Sequence, residues 1–204
     1  MRARSLLALI LLLPTIAAAD VASPPAKPEP VSLRGQLLIA TPQMGDPRFA
    51  RTVILMVRHD RNGAFGLVVN RPLETRTIAS LLESTGRPSD GVSGSLRVFL
   101  GGPVEPGAGF ILHSSEYRAG SETWDIDGRM AMSQNPDVLR DIGQGKGPAK
   151  SLFAVGYAGW APGQLEGELA RRDWFTAPAS ARLVFDEDRE KVWDLAMSQR
   201  SRDL

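Results

Sequence analysis

The two histidines of this chain are its first candidates for catalytic chemistry. His59 precedes Asp60, and His113 precedes Ser114 and Ser115. An imidazole that meets a carboxylate and a hydroxyl is the usual equipment of hydrolases with an activated serine. The sequence therefore permits an unrecognised hydrolase built on either histidine. The alternative is that each imidazole caps a strand end or bonds a loop carbonyl, and we favour it because serines are common and no spacing joins these residues into one site.

Composition and motif spacing exclude most cofactor chemistry. The chain has no cysteine and two histidines, which excludes disulfides, iron–sulfur clusters, cysteine-ligated zinc and a three-histidine metal site. The glycine-rich segment Gly143–Gly147 follows a predicted helix and lacks the Lys-Ser/Thr pair of a phosphate-binding loop. In Gly91–Ser95, a serine stands where a nucleophile elbow needs its last glycine. We therefore predict no metal, no cofactor and no catalytic residue.

The most distinctive stretch is Gly156–Glu166, with the sequence GYAGWAPGQLE. A predicted strand ends there in small residues, a tryptophan follows, and a helix begins with a glutamine and a glutamate. Glycines allow a ligand or another backbone to approach closely. The alternative is a tight strand-to-helix turn, with the tryptophan in the core and the glutamate near the positive end of the helix dipole. We predict a recognition surface at this turn and two neighbouring strand ends, with these binding residues: Trp160, Gln164, Glu166, His59 and Asn70.

The rest of the pattern predicts short strands joined mainly by hairpins. The best hairpin signals are Asp60–Gly63 and Asp127-Gly128, because Asn-Gly and Asp-Gly pairs readily take positive φ. Hairpins outnumber β-α-β units, so the fold class is α+β. Periodicity predicts strands at 36–40, 52–59, 65–70, 97–100, 109–113, 124–126, 129–132, 151–156 and 181–185, and helices at 77–83, 133–142, 162–172 and 186–199.

The N-terminus has the three parts of an export signal. A basic start with Arg2 and Arg4 precedes an apolar run at 6–16, and Ala17–Ala19 supplies the small residues for cleavage before Asp20. An uncleaved anchor is the alternative, but 11 apolar residues span only about half of a bilayer core. We predict a signal peptide at 1–19, a proline-rich linker at 20–31 and a single domain at 32–204. The mature protein would be periplasmic or secreted, without a transmembrane anchor.

Removal of the leader also changes the charge of the chain. The full chain has 24 basic and 23 acidic residues, and loss of Arg2 and Arg4 leaves 22 basic residues and a net charge of −1. A neutral domain gives no bulk electrostatic reason to expect nucleic acid as a partner. The expected partner is an unidentified protein or small molecule.

Several segments resemble the AlgH/YqgE family in order and spacing, over about 33–197. These segments are LLIATPQMGDPRFARTVILMVRHDRNGAFGLVVNRPL, FLGGPVEPGAGFILH, the helix SQNPDVL, and VGYAGWAPGQLEGELARRDWF. The resemblance implies a curved, partly split, mainly antiparallel sheet that forms a pseudo-barrel, with about four surrounding helices. It implies no reaction and carries no catalytic residue.

The family name comes from a proposed role in transcriptional regulation of alginate synthesis. Members usually lack an export signal and are taken as cytosolic, so export of this chain would separate it from DNA. A misassigned start codon, and hence a cytoplasmic protein, is the alternative. Our leading hypothesis is a non-catalytic binding or regulatory module; a hydrolase using His59 or His113, and a transcriptional regulator, are the alternatives.

Overall fold

The computed structural model describes residues 31–118 and 120–201, without the side chain of Ser121. The predicted signal peptide at 1–19 lies outside the described residues, as does the predicted linker at 20–31 except for Val31. Within the described part of the chain, no helix has the length and apolar character needed to cross a membrane.

The described residues form ten strands and four α-helices. A short π-type helical turn, Arg182–Asp186, precedes the last helix. The strands are β1 (Gln36–Ala40), β2 (Val53–Asp60), β3 (Gly63–Val68), β4 (Pro72–Thr77), β5 (Ser95–Leu100), β6 (Val104–Ser114), β7 (Thr123–Asp125), β8 (Met130–Ser133), β9 (Ser151–Trp160) and β10 (Trp174–Pro178), and the helices are α1 (Ile78–Ser84), α2 (Asp137–Gly143), α3 (Gln164–Ala170) and α4 (Val192–Ser198).

The sheet is curled and partly split, and it forms a half-barrel as the resemblance implied. Its main path runs β10-β1-β2-β3-β9-β6-β8-β7. One edge of β9 is shared, because β5 pairs with residues 153–155 and β3 pairs with residues 158–160, and the sheet divides between these two partners. Every ladder is antiparallel except the one between β5 and β9. Ten strands and four helices confirm the predicted α+β class.

Apolar side chains divide into three cores around this sheet. The inner core fills the concave side and is completed by α4 and the turn at 182–186. A second core lies on the outer face of β1, β2, β3 and β9, where α3 covers it. A third core holds α1 and α2 against β5, β6 and β9. Alternating side chains of one strand therefore serve two different cores.

The two long edges of the half-barrel meet through loop contacts. Gly35, before β1, packs closely against Asp127 in the β7–β8 turn. A Cβ atom added at Gly35 would lie 2.9 Å from Cβ of Asp127. Nearby, the Arg129 side chain donates a hydrogen bond of 3.1 Å to the carbonyl of Ala179, after β10. These contacts hold the curl in place without closing it into a full barrel.

Several predicted boundaries were wrong. Residues 182–186 form a helical turn instead of a strand, and the last strand is β10, which the pattern did not predict. Ser133 ends β8, so α2 starts four residues later than predicted, and α4 starts at Val192 instead of residue 186. The strand predicted at 151–156 continues to Trp160.

Candidate functional site

A bulge in β2 places Val57 and Arg58 on the same face of the sheet and turns His59 to the other face. Met56 pairs with Gly66 and Arg58 with Phe65, so Val57 is the extra residue on β2. A bulge of this kind places two successive residues on one face and re-aims those that follow. Val57 belongs to the inner core, and Arg58 lies opposite Phe65 on the same side. His59 is consequently turned to the outer face, toward α3.

His59 and Glu166 are brought together, as the predicted recognition surface required. Nε2 of His59 lies 3.0 Å from Oε1 of Glu166, and Nδ1 accepts the backbone N–H of Leu33 at 3.2 Å. Because Nδ1 is an acceptor, Nε2 carries the proton and donates a hydrogen bond to the carboxylate. The His59 side chain is 3% exposed and that of Glu166 is 42% exposed. The pair connects the beginning of the domain with α3.

We expect Glu166→Gln to lower the free energy of unfolding by no more than about 1 kcal/mol. A glutamine retains a side-chain carbonyl that can accept the Nε2–H of His59, and the contact is partly exposed to water. Leu165→Ala is the control, since this residue is 1% exposed and its truncation should cost about 2–5 kcal/mol. Chemical denaturation measures both. A loss above about 2 kcal/mol for Glu166→Gln would contradict the assignment of this contact as a weak, partly exposed hydrogen bond.

Trp160 and Gln164 meet a carboxylate that the sequence pattern did not single out. Oε2 of Glu168 accepts the indole N–H groups of Trp160 and Trp174, both at 2.8 Å. The other oxygen, Oε1, accepts the side-chain amide of Gln164 at 2.9 Å. Gln164 in turn accepts the backbone N–H of Ala161 at 3.1 Å, which ties the first residue of α3 to the turn before it. The one signal for Glu168 was its i+4 spacing from Gln164.

These contacts tie helix α3 to the end of β9 and the start of β10. Trp160 is buried against Trp174, with ring centroids 6.1 Å apart, and both indoles are tied to α3. Trp160, Gln164, Glu168 and Trp174 also line a cleft of about 490 Å³ on the outer face. The geometry explains these residues as structural ties, and a recognition role for the turn stays a prediction.

Asn70 lies away from the other predicted site residues. Its Oδ1 accepts the backbone N–H of Val53, and its Nδ2 donates to the carbonyl of Arg51, each at 2.9 Å. It therefore joins the end of β3 to the start of β2. His59 stands at the other end of the β2–β3 hairpin, where it pairs with Ala64. The structure does not bring Asn70 into one surface with His59.

The two histidines are also far apart. His113 pairs with Ser151 at the start of β9, whereas His59 lies level with Trp160 at its end, about 30 Å of strand away. His113 is fully buried; its Nδ1 donates to the carbonyl of Ser114, and burial lowers the pKa of the imidazole, which favours the neutral form.

The neighbouring serines do not supply a nucleophile for His113. Ser114 donates to Glu116 at 2.8 Å, and Ser115 donates to the carbonyl of Gly128 at 2.7 Å. No serine hydroxyl bonds to either imidazole in the hydrogen bonds of the described residues. The same part of the chain contains no cluster of three or more His, Asp or Glu side chains suited to a metal ion. A hydrolase therefore receives no support from this geometry.

Four aromatic side chains converge at one end of the inner core and form what we call the aromatic cleft. Phe65 is central, with its ring centroid 4.8 Å from that of Tyr157, 5.5 Å from that of Phe110 and 6.5 Å from that of Trp124. The cleft has a volume of about 610 Å³. Trp124 lies on the edge strand β7 and is 50% exposed, although large apolar side chains are normally buried.

Polar groups surround the aromatic cleft at a few positions. The β2 bulge presents Arg58, and a second bulge between Val104 and Gly109 presents Glu105, whose φ of +46° is rare for a residue with a side chain. Oε1 of Glu105 lies 3.4 Å from the Tyr157 hydroxyl. Partial burial, followed by the negative charge of Glu105, raises the pKa of Tyr157, so its hydroxyl remains a donor. The other polar residues that line the cleft are Arg34, Asp125 and Gln134.

The sequence pattern contained only part of the signal for this cleft. Tyr157 belongs to the distinctive stretch Gly156–Glu166, but the predicted strand ended at residue 156. Because β9 continues to Trp160, Tyr157 and Trp160 point to opposite faces of the sheet. Phe65 and Phe110 read as ordinary core residues of their strands. The remaining signal was Trp124, which lies beside the Asp127-Gly128 turn, and its exposure is seen only in the structure.

The curled sheet with a cleft at one end defines the chain as an α+β half-barrel protein. A model of the AlgH-like family matches residues 37–204. Related sequences include a UPF0301 protein of Jannaschia sp., 48% identical over 81% of this chain and 86% of the relative. Another, from Cereibacter sphaeroides, is 45% identical over 80% of this chain and 89% of the relative. The chain belongs to the AlgH-like family, as its segments had indicated.

Two solved structures share the fold. The solution structure of AlgH from Pseudomonas aeruginosa is similar with a TM-score of 0.69 and 40% identity, and the match covers 83% of this chain and 89% of that protein. A crystal structure of a Corynebacterium diphtheriae protein matches with a TM-score of 0.65 at 22% identity, over 89% and 92% of the two chains. The second match bears on the fold alone.

Proposed function

We propose that this protein is a non-catalytic binding module and that its ligand site is the aromatic cleft. The observation that carries the proposal is the convergence of four aromatic rings on an open space of about 610 Å³. Sites for small molecules have volumes of about 300–1,000 Å³ and combine apolar walls with a few polar groups. The cleft combines these features, which supports a small molecule as the partner.

The chemistry around the cleft favours binding over catalysis. His113 is buried elsewhere and His59 faces the outer core, so neither imidazole reaches the cleft. The aromatic rings offer stacking and edge contacts to a flat ligand, each worth about 0.5–1.5 kcal/mol beyond burial. The hydrolase and the transcriptional regulator therefore remain alternatives without a supporting contact in the described residues.

A neutral planar probe tests the proposal. We expect N-phenyl-1-naphthylamine to bind saturably, with an increase in its fluorescence, and Trp124→Ala to weaken binding by about tenfold or more. Trp124 is half exposed, so the variant should fold normally. Leu73→Ala is the matched control, because Leu73 on β4 is 56% exposed and does not line the cleft. Absence of saturable binding, or equal binding by the Trp124 variant, would refute the proposal.

The location of the protein is a separate proposal that rests on the leader alone. We propose a periplasmic or secreted mature protein beginning at Asp20, and that location argues against nucleic acid as the partner. Intact-mass analysis of fractionated cells tests it. A product that is cytosolic and retains Met1 would refute export and restore the regulatory alternative.

A further inference from the structure

Two arginines stand side by side at the rim of the aromatic cleft. Arg34 lies just before β1 and Arg58 lies on β2, and both line the cleft. The backbone N–H of Gly35 donates to the carbonyl of Met56 at 2.9 Å, which fixes the two segments next to each other at this level. The β2 bulge turns Arg58 toward the cleft instead of the outer face. One side of the rim is therefore basic.

This basic side is poorly neutralised within the described residues. Arg58 has one acidic neighbour, with its Nε 3.8 Å from Oδ2 of Asp60, which is beyond hydrogen-bond distance, and the Arg58 side chain is 62% exposed. The Asp60 carboxylate also accepts the backbone N–H of Asn62 at 2.7 Å. The ion pairs seen among the described residues include none that involves Arg34. Two adjacent like charges repel each other, and an anion between them would relieve the repulsion.

The acidic residues of the cleft are engaged with other donors. Oδ2 of Asp125 accepts the backbone N–H of Gly128 at 3.1 Å. Oε1 of Glu105 lies 3.4 Å from the Tyr157 hydroxyl, which is protonated. Glu105 and Asp125 belong to β6 and β7, whereas the arginines belong to the β1–β2 side of the rim. Glu105 and Asp125 therefore each have a hydrogen-bond donor other than the two arginines.

We infer that the ligand of the aromatic cleft is a planar aromatic anion, with its ring against Phe65 and Trp124 and its anionic group at Arg34 and Arg58. This inference rests on the proposed binding function. A guanidinium presents several N–H donors in a plane, which matches the oxygens of a carboxylate, sulfonate or phosphate. The rings supply the apolar contact, and the arginines supply the orientation and the preference for negative charge.

A pair of probes that differ in one anionic group tests the inference. The anionic probe is 8-anilinonaphthalene-1-sulfonate, and N-phenyl-1-naphthylamine has the same ring system without the sulfonate. We expect the double variant Arg34→Gln/Arg58→Gln to weaken binding of the anionic probe by about tenfold or more and to change binding of the neutral probe less than about twofold. Arg87→Gln, an exposed arginine outside the cleft, should change neither.

Salt gives a second readout with the same pair. Raising the salt concentration from about 0.05 M to 0.5 M should weaken the anionic probe and leave the neutral probe nearly unchanged, because screening acts on the charge contacts. If the double variant binds the anionic probe like wild type, the inference is wrong even if both probes bind at Trp124. If the neutral probe does not bind in a Trp124-dependent way, the proposed function itself fails. Circular dichroism checks that each variant is folded.

Discussion

Replacing Gly63 with alanine is expected to lower the free energy of unfolding by about 3 kcal/mol or more. Gly63 begins β3 with a φ of +116°, a conformation that residues with a Cβ atom rarely adopt. A Cβ atom there would also lie 2.2 Å from the carbonyl oxygen of Trp160. That oxygen belongs to the backbone of β9, so relief of the clash requires separating β3 from β9. Urea denaturation followed by tryptophan fluorescence measures the change.

Gly128→Ala is the matched control for this prediction. Gly128 is the glycine of the other predicted hairpin and has a φ of +76°, and a Cβ atom there would meet nothing within 4 Å beyond its own chain neighbours. Its replacement should cost only the backbone strain, about 1–2 kcal/mol. Equal losses for the two variants would show that φ alone constrains Gly63 and that the approach of β9 contributes nothing.

Replacing Glu168 with alanine is expected to cost about 2–5 kcal/mol of stability, because it removes one acceptor from two buried donors. The indole N–H groups of Trp160 and Trp174 both bond to Oε2 of this residue at 2.8 Å, and both tryptophans are buried. Each buried donor left without a partner costs about 1–3 kcal/mol. The variant should also change the tryptophan emission spectrum of the folded state, since the surroundings of two indoles change together.

Two neighbouring substitutions distinguish the loss of the indole hydrogen bonds from general effects on the stability of α3. Glu168→Gln keeps a side-chain oxygen that can accept both indole donors, so its cost should stay near 1 kcal/mol. Gln164→Ala removes exposed hydrogen bonds only and should cost less than about 1 kcal/mol. If Glu168→Ala were as stable as wild type, water would have to satisfy the indoles, and α3 would be held by apolar contacts alone.

The hairpins and one helix were predictable because their signals are local. Gly63 and Gly128 take positive φ at little cost, and the turns form where the pairs Asn62-Gly63 and Asp127-Gly128 stand. Helix α1 begins one residue after Thr77, whose side chain accepts the backbone N–H of Ser80 at 3.1 Å. These elements depend on a few adjacent residues, so neighbouring sequence was sufficient to locate them.

Short apolar runs were the source of the main errors. Residues 181–185 and 174–178 are both short segments with apolar side chains, and periodicity does not distinguish a strand from a buried helical turn at this length. In the structure, residues 174–178 pair with β1 as strand β10. Residues 182–186 instead form a turn that places Leu183 and Val184 in the inner core. Tertiary contacts decided the conformation of both segments.

The candidate site was also predicted only in part. The stretch Gly156–Glu166 and His59 were recognised as special, and the structure does place His59 against Glu166. Glu168 was missed because its two indole partners come from different strands, β9 and β10. Asn70 was grouped with His59 because both end predicted strands, but antiparallel neighbours end at opposite edges of a hairpin.

The sequence by itself determined the α+β class, the family, the hairpin turns and the exclusion of cysteine and three-histidine chemistry. Only the tertiary structure decided which side chains share a cavity. Phe65, Phe110, Trp124 and Tyr157 come from four strands, and they meet because the sheet curls. The bulge in β2 adds Arg58 to the same cavity. The curl of the sheet and the register of its strands depend on many weak contacts between residues distant in sequence, so a local sequence pattern does not predict them.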